Sequence, residues 1–257
     1  MRWRRFVAIG DSFTEGMNDF APDGSLRGWA DLVAAALARS APDGDFRYAN
    51  LAIRGRLFHR IVDEQVPVAL EMKPDLVSFA GGGNDALRRN FAPEPIITRF
   101  DEVIGSLRAG GADVIVFRWV DVSGRLPGSK LILPRSRLLN EAAAEIARRH
   151  GAILVDLWGD DEFRNPLLWS DDRLHMSTLG HRRVAAHVLT SLGITPDPDW
   201  LTSPGRPPRQ SWPQARLQDV RWAQQHLAPW VRRRLTGRSS GDTITAKRPT
   251  LAPFETV

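Results

Sequence analysis

Residues 7–16 read VAIGDSFTEG, and this stretch decides the fold class. A short apolar run ends abruptly in Gly-Asp-Ser, a pattern typical of a buried strand that turns sharply into a helix. A serine at such a turn lies at the rim of the sheet, beside the unpaired N–H groups of the helix start. Ser12 can therefore be the cap of the helix or a nucleophile, and the rest of the chain must distinguish the two readings.

The same alternation of strands and helices continues to about residue 195. Strands are predicted at residues 4–11, 46–53, 75–83, 112–120 and 152–158. Helices are predicted at residues 29–40, 57–72 with a boundary or kink at Pro67, 95–110, 136–150 and 178–192. Five strands separated by helices predict an α/β fold with a five-stranded parallel sheet covered on both faces. Ligands of such sheets bind at the carboxyl ends of the strands.

Beyond this body the composition changes. Residues 1–195 are predicted to form one domain, 196–215 a proline-rich connector, and 216–257 a basic amphipathic helix, interrupted at Pro229, with a flexible tail. The net charge of +5 belongs to this extension. We expect the helix to pack on the body, and a weak contact with an anionic surface is the alternative; no specific nucleic acid is predicted.

Several classes of protein are excluded or disfavoured by composition. The 257 residues include no cysteine, so disulfides, thiolate nucleophiles and Cys-ligated zinc are excluded. Arginines precede the first apolar run, but that run is too short for a signal peptide. The sequence therefore predicts a cytoplasmic protein.

Asp172-Arg173-Leu174-His175 precedes the last predicted helix of the body. Three-residue spacing in a turn lets the carboxylate reach one ring nitrogen and leaves the other free, which is the base and its orienting acid in a catalytic triad. A capping Asp beside an incidental His is the alternative. A metal site is disfavoured because His175, His181 and His187 recur every six residues, which does not place them on one helix face.

Glycines follow two further strands. The run Gly81-Gly82-Gly83-Asn84-Asp85 follows the third strand, and the Asn84 amide can donate to an oxyanion. Gly55 follows the second strand and can offer a backbone N–H. The glycine run lacks the frames of phosphate-binding loops, so a phosphate site is disfavoured. Residues 237–241, GRSSG, match a nucleophile elbow only formally, because no strand precedes them.

Together these blocks resemble the SGNH, or GDSL, hydrolase family. The matching residues, in chain order, are Gly10-Asp11-Ser12, Gly55, Gly82-Gly83-Asn84-Asp85 and Asp172-Arg173-Leu174-His175. The resemblance implies a flavodoxin-like α/β/α domain in which Ser12 is the nucleophile, His175 the base and Asp172 its orienter. It also implies an oxyanion hole made by the N–H groups of Ser12 and Gly55 and the Asn84 amide. Asp11, Gly83 and Asp85 would support these groups. The sequence departs from the family at Phe13 and Met176, where Leu and Pro are usual.

The leading hypothesis is thus a serine hydrolase of carboxylic esters, of lipase, esterase or acetyl-esterase type, with no cofactor and no metal. Its substrate would be a small acyl ester, lipid or acetylated sugar. The alternative is a non-catalytic binding or scaffold module, and a phosphoryl-transfer enzyme using Asp11 ranks lower. Four aromatic residues are candidates for a pocket, with core packing as the default expectation: Phe91, Trp119, Trp158 and Trp169.

Overall fold

A six-stranded sheet is the centre of the computed structural model, which describes residues 2–41, 44–126, 128–208, 211–236 and 239–254. Its strands are β1 Arg5–Ile9, β2 Arg47–Asn50, β3 Leu76–Phe79, β4 Asp113–Arg118, β5 Ile153–Asp156 and β6 Arg248–Pro253. Their order across the sheet is β5-β4-β3-β1-β2-β6. The first five strands pair in parallel, which confirms the predicted α/β fold and its five strands.

Helices cover both faces of this sheet. The covering helices are α2 Trp29–Arg39 and α7 Thr178–Ser191 on one face and α3 Phe58–Glu71, α5 Pro93–Ala109 and α6 Ser129–His150 on the other. The shorter α1 Ser12–Glu15 and α4 Gly83–Ala86 follow strand ends, and α8 Trp212–Trp222 and α9 Ala228–Leu235 belong to the C-terminal extension. Alternate residues of β1 point to opposite faces, as a pleated strand requires. Phe6 belongs to the apolar cluster under α2 and α7, and Val7 to the cluster under α3, α5 and α6. The site is therefore built on a rigid three-layer frame.

Strand β6 corrects the prediction of a structureless tail and of a five-stranded sheet. It pairs antiparallel with β2, which would otherwise be an edge of the sheet. The ring of Phe254 packs against Tyr48, with 5.4 Å between centroids, and Arg248 lies over both rings. Two prolines in the strand fit an edge position, where no further strand needs the N–H groups that proline lacks. These tertiary contacts, rather than local pattern, create the strand.

A boundary at Pro67, one of the two predicted outcomes there, was wrong, since helix α3 continues through that residue. The carbonyl that loses its partner belongs to Asp63, an exposed residue that water can reach. The predicted start of the fourth helix at residue 136 was also wrong, because α6 begins at Ser129 and includes Pro134.

The C-terminal extension is helical, as predicted, from Trp212 to Leu235. The predicted interruption at Pro229 takes the form of a π-helical turn, Ala223–Leu227, in which the Ala228 N–H donates to the Ala223 carbonyl. Several of its apolar side chains remain exposed: Leu217, Val220 and Val231. Within the described ranges, no helix has the length and apolar character that crossing a bilayer needs.

Candidate active site

Ser12 lies directly after β1, at the carboxyl edge of the sheet. The chain can turn there because Gly10 passes close to β3: a Cβ on Gly10 would lie 2.7 Å from the Ala80 carbonyl oxygen. Buried Gln65 holds the same turn with two hydrogen bonds. Its Oε1 accepts from the Gly10 N–H at 2.8 Å, and its Nε2 donates to the Gly10 carbonyl at 2.9 Å. Residue 12 is thereby fixed to the frame of the sheet.

Helix α1 is capped by Asp11 and not by Ser12. The Asp11 side chain accepts from the Phe13 N–H at 3.1 Å, and Ser12 is the first residue of the helix. The cap reading of Ser12 is therefore wrong. A residue at this position has no intrahelical acceptor for its own N–H, and its hydroxyl is free to point out of the turn.

The Ser12 hydroxyl instead meets His175. Ser12 Oγ lies 2.9 Å from Nε2 of His175, and Nδ1 of His175 lies 2.6 Å from Oδ2 of Asp172. The second oxygen of Asp172 accepts backbone N–H groups of Leu174 and His175. A turn of three residues thus orients the imidazole toward a serine that is 163 positions away in the sequence.

Two further polar side chains hold the Asp172 carboxylate. Asn18 donates to Oδ2 of Asp172 at 2.9 Å and to Ser170, whose hydroxyl donates to Oδ1 at 2.8 Å. Burial raises the pKa of Asp172, but the hydrogen bond and charge of His175 and the backbone N–H groups of His175 and Leu174 outweigh burial, so the pKa lies well below its ordinary value. Asp172 is therefore an anion that faces the imidazole.

Asn84 lies opposite, just inside the start of α4. Its Nδ2 donates to Oδ2 of Asp11 at 2.9 Å and to the Arg56 carbonyl at 3.1 Å, so both amide hydrogens have protein acceptors. The sequence predicted that this amide can donate to an oxyanion. A substrate oxygen would have to share one of these hydrogens or replace the Arg56 carbonyl as acceptor.

The remaining predicted support residues lie around Asn84. Gly83 and Asn84 line one cavity together with Ser12. A Cβ on Gly83 would meet no atom within 4 Å, so close packing does not explain why this position is a glycine. Asp85 accepts the Phe58 N–H at 2.9 Å and so ties α4 to the start of α3; burial raises its pKa. Burial likewise raises the pKa of Asp11 to about 6, against the opposing effects of the Phe13 N–H, His175 and Asn84.

Gly55 lies in the loop after β2, next to Arg56, but it does not line the cavity that Ser12 lines. Two side chains hold its loop. Glu15 accepts the Arg54 N–H at 2.8 Å and pairs with the Arg54 guanidinium. The Ser239 hydroxyl donates to the Gly55 carbonyl at 3.3 Å. Within the described residues, no acceptor is found for the Gly55 N–H.

Ser239 belongs to the GRSSG stretch, of which Gly237 and Arg238 lie outside the described residues. The Ser239 hydroxyl donates to the Gly55 carbonyl and contacts no histidine, in agreement with the reading of the motif as a formal match. Asp121, which also follows a strand, is exposed and accepts the Ser123 N–H, so it takes no part in the cluster around Ser12.

A cavity of about 120 Å³ opens beside the Ser12 hydroxyl. Ser12, Asn84 and His175 lie on its wall, so three of the four predicted blocks meet at this cavity. Most of the other wall is apolar, with Met17, Phe13, Trp119, Val120, Leu139, Trp169 and Met176 among its residues. Trp119 and Trp169 thus line the pocket, whereas Trp158 and Phe91 do not.

Phe13, one of the two departures from the family pattern, closes this cavity. Its ring centroid lies 5.0 Å from Trp119, 5.5 Å from Phe117 and 5.4 Å from Trp29. Met176, the other departure, is buried and pairs with Trp169 in an isolated bridge. Both residues therefore act on the shape of the cavity.

The three regularly spaced histidines have separate partners. Buried His181 accepts the Trp29 N–H through Nδ1 and contacts the Met17 carbonyl through Nε2, and burial lowers its pKa to about 4. Nε2 of His187 lies 2.7 Å from Oδ2 of Asp160. In the part of the chain that the structure describes, no three His, Asp or Glu side chains are grouped to hold a metal ion.

Three positioning residues escaped sequence analysis: Glu15, Asn18 and Gln65. Glu15 and Gln65 are buried and Asn18 is half-buried, and Gln65 lies between apolar Ile61, Val62 and Val66 on α3. A buried polar residue within an apolar face is the signal that could have revealed it, because such a group must have a partner.

A model of the GDSL-like lipase/acylhydrolase family matches residues 8–183. No curated protein matches the chain. Among solved structures, the acetylxylan esterase Axe2 from Geobacillus stearothermophilus is similar, with a TM-score of 0.59, 20% identity and coverage of 79% of this chain and 100% of that one.

Two other solved structures share the fold. TesA has a TM-score of 0.58 at 23% identity, over 73% of this chain and 97% of that one. LAE5, a hydrolase from the metagenome of Lake Arreo, Spain, has a TM-score of 0.59 at 22% identity, over 76% and 97%. Residues 8–183 therefore carry the pattern of the family, and the extension from residue 212 lies beyond it.

Proposed function

The chain belongs to the GDSL-like lipase/acylhydrolase family and is an SGNH-type ester hydrolase, and we propose that it cleaves esters of short acyl groups through a covalent acyl-enzyme on Ser12. One observation carries this proposal: the unbroken hydrogen-bond chain from Ser12 Oγ through His175 to Asp172, beside an apolar cavity. A nucleophile, a base and the acid that orients the base are the minimum that acyl transfer needs.

In the first half-reaction Ser12 Oγ attacks the ester carbonyl carbon, and its proton passes to Nε2 of His175. The carbonyl double bond opens to an oxyanion, and Asp172 stabilises the imidazolium that has formed. When the carbonyl reforms, the bond to the alcohol oxygen breaks, and the Nε2 proton passes to that oxygen. Water then repeats the sequence on the acyl-enzyme, with His175 again as base, and releases the acid and free Ser12.

The oxyanion would accept hydrogen bonds from the N–H groups of Ser12 and Gly55 and from the Asn84 amide. Ser12 and Gly55 supply donors without competing acceptors among the described residues. Asn84 is held in place by Asp11 and Arg56, so its donation comes from a preorganised group. Loss of one such donor typically costs about 3–4 kcal/mol at the transition state.

The acyl group is proposed to occupy the cavity beside Ser12. Its volume of about 120 Å³ and its wall of aromatic and aliphatic side chains suit an apolar group of a few carbon atoms. Phe13, Trp119 and Trp169 limit its depth. Acetyl esters, including those of sugars, are therefore the first substrates to test.

The test is hydrolysis of p-nitrophenyl acetate, butyrate and octanoate and of acetylated xylan by the wild-type chain and two variants. Ser12→Ala should abolish turnover. Ser136→Ala removes the other serine hydroxyl of the same cavity and should leave the rate within about twofold, because Ser136 is not bonded to His175. If Ser12→Ala retains the wild-type rate, Ser12 is not the nucleophile. A folded wild-type chain that turns over none of these esters contradicts the proposed activity.

A further inference from the structure

The strongest unexplained feature is a groove of about 600 Å³ between the C-terminal extension and the body. One wall comes from the extension, through Trp222, Leu227 and Trp230, and the other from α6 and the loop before it, through Leu126, Leu131 and Ile132. Trp222 and Trp230 are half-buried there, although several other apolar residues of the extension are exposed. Both tryptophans therefore line the groove.

This groove joins the cavity beside Ser12. Five residues line both: Ala86, Leu87, Ile132, Leu174 and His175. Ser12 and Asn84 line only the smaller cavity, whereas Asp172 lines only the groove. The groove thus begins on the side of the base and lies away from the carbonyl oxygen and its donors.

The extension is fastened to the turn that carries the base. Trp222 Nε1 donates to the Asp172 carbonyl at 3.0 Å, and the Arg173 guanidinium pairs with Asp219 at 2.8 Å. Arg173 also lies over the Trp222 ring, at 4.8 Å from its centroid. The Arg173 backbone adopts a φ of 62°, a left-handed conformation that is unfavourable for an arginine and needs contacts to hold it.

We propose that the C-terminal extension completes the active site by forming the binding groove for the leaving alcohol, and that this alcohol is bulky and apolar. The inference rests on the proposed function. Because His175 returns its proton to the alcohol oxygen, that oxygen must lie beside Nε2, and the rest of the alcohol extends along the wall that His175, Asp172 and Leu174 share with the extension. The acyl group then keeps the small cavity.

Charge narrows the class of alcohol further. Arg88, Arg89 and Arg135 also line the groove, and no acidic side chain other than Asp172 does so among the described residues. Since Asp172 is already bonded to His175, its charge is not available to a ligand. The groove therefore suits a neutral alcohol over a cationic one.

Matched ester series distinguish the two ends of the substrate. In the alcohol series, ethyl, hexyl and 2-phenylethyl acetate share one acyl group; in the acyl series, ethyl acetate, butyrate and hexanoate share one alcohol. We expect kcat/KM to rise about tenfold or more along the alcohol series, as buried methylenes contribute, and to fall along the acyl series. Choline acetate should be a poorer substrate than its uncharged isostere, 3,3-dimethylbutyl acetate.

Variants assign the effect to the extension. Trp230→Ala and Leu227→Ala should remove at least about fivefold of the preference for the bulky alcohols, measured as the ratio of kcat/KM for hexyl acetate to that for ethyl acetate. Leu131→Ala, an exposed position on the opposite wall, should act in the same direction and keeps the test valid if a tryptophan variant fails to fold. Val220→Ala, exposed and outside the groove, is the control and should change neither series.

The outcomes separate the two proposals. If the groove variants lose the preference for bulky alcohols and the control variant keeps it, the leaving-group site is supported. A change in the acyl series instead, or an unchanged alcohol preference, overturns it even though ester hydrolysis persists. If the wild-type chain cleaves none of these esters, or Ser12→Ala still cleaves them, the proposed function itself fails. A preference for choline acetate overturns the charge argument.

Discussion

Asp172 contacts His175 with both of its carboxylate oxygens: Oδ2 lies 2.6 Å from the ring Nδ1, and Oδ1 accepts the backbone N–H of the same residue at 2.9 Å. Asp172 thus holds His175 at two points, the backbone N–H and the ring Nδ1, and Nε2 of the ring faces Ser12. This arrangement fixes the tautomer in which Nε2 accepts the serine proton.

Asp172→Asn should therefore leave the fold intact and lower kcat for p-nitrophenyl acetate by about 10³- to 10⁴-fold, because an amide cannot stabilise the imidazolium and favours the wrong tautomer. Steady-state kinetics measure the loss, and circular dichroism checks the fold. Asp171→Asn, at the exposed preceding position, is the matched control and should keep the wild-type kcat. Equal activity of the two variants would remove Asp172 from the mechanism.

Phe13→Leu should shift the acyl preference toward longer chains. Its ring contacts Trp119, Phe117 and Trp29, and a smaller side chain leaves space in the cavity beside Ser12. We expect the kcat/KM ratio of butyrate to acetate to rise about tenfold. The control is Phe100→Leu, a buried position in the opposite apolar cluster, which should lose stability without changing the ratio. An unchanged ratio in Phe13→Leu would show that the cavity does not hold the acyl group.

Gln65→Leu tests the support of the turn before Ser12. Removing the amide leaves the buried N–H and carbonyl of Gly10 without partners, which should lower the free energy of unfolding by about 2–3 kcal/mol. Urea denaturation measures this change in unfolding free energy. The rate at which a fluorophosphonate labels Ser12 should fall as well. Val68→Ala, half-exposed on the same helix, should cost much less. If both variants unfold at the same urea concentration, Gln65 does not hold the turn.

His181 should make the protein sensitive to acid. Burial lowers its folded pKa to about 4, against about 6.5 in the unfolded chain, so between these values the unfolded state binds more protons. The stability that neutral His181 provides is complete above about pH 6.5 and falls as the pH drops toward 4, by about 3 kcal/mol in all.

The measurement compares urea unfolding of the wild-type chain and His181→Gln from pH 4 to 7. Glutamine can keep an acceptor and a donor but does not titrate. The difference in unfolding free energy between the two proteins should shrink as the pH falls. A difference that stays constant across this range would contradict a buried neutral His181.

Much of the site was predictable because its signals are local. The turn from β1 into Ser12 is encoded in ten consecutive residues, and the pairing of Asp172 with His175 follows from three-residue spacing. The rule that parallel strands present their carboxyl ends at one edge then brings Ser12 and Asn84 together.

The rest depends on tertiary contacts that no local pattern carries. The occupation of both Asn84 hydrogens by Asp11 and Arg56 requires three loops to meet. Strand β6 forms because β2 offers an unpaired edge, and the extension is positioned by Asp219 and Trp222, whose partners lie 46 and 50 residues away. The basic side chains Arg233 and Arg234 lie outside the described side chains, so an anionic-surface contact of the tail stays a prediction.

The central claim is that Ser12 forms a covalent bond during catalysis. The most direct test is reaction of the folded chain with a small fluorophosphonate, followed by mass spectrometry of the intact protein and its peptides. We predict one adduct per chain, located on Ser12, formed at an unchanged rate in Ser136→Ala and at least about 100-fold more slowly in His175→Ala. The absence of an adduct from the folded wild-type chain, or its location on any other residue, would contradict the account.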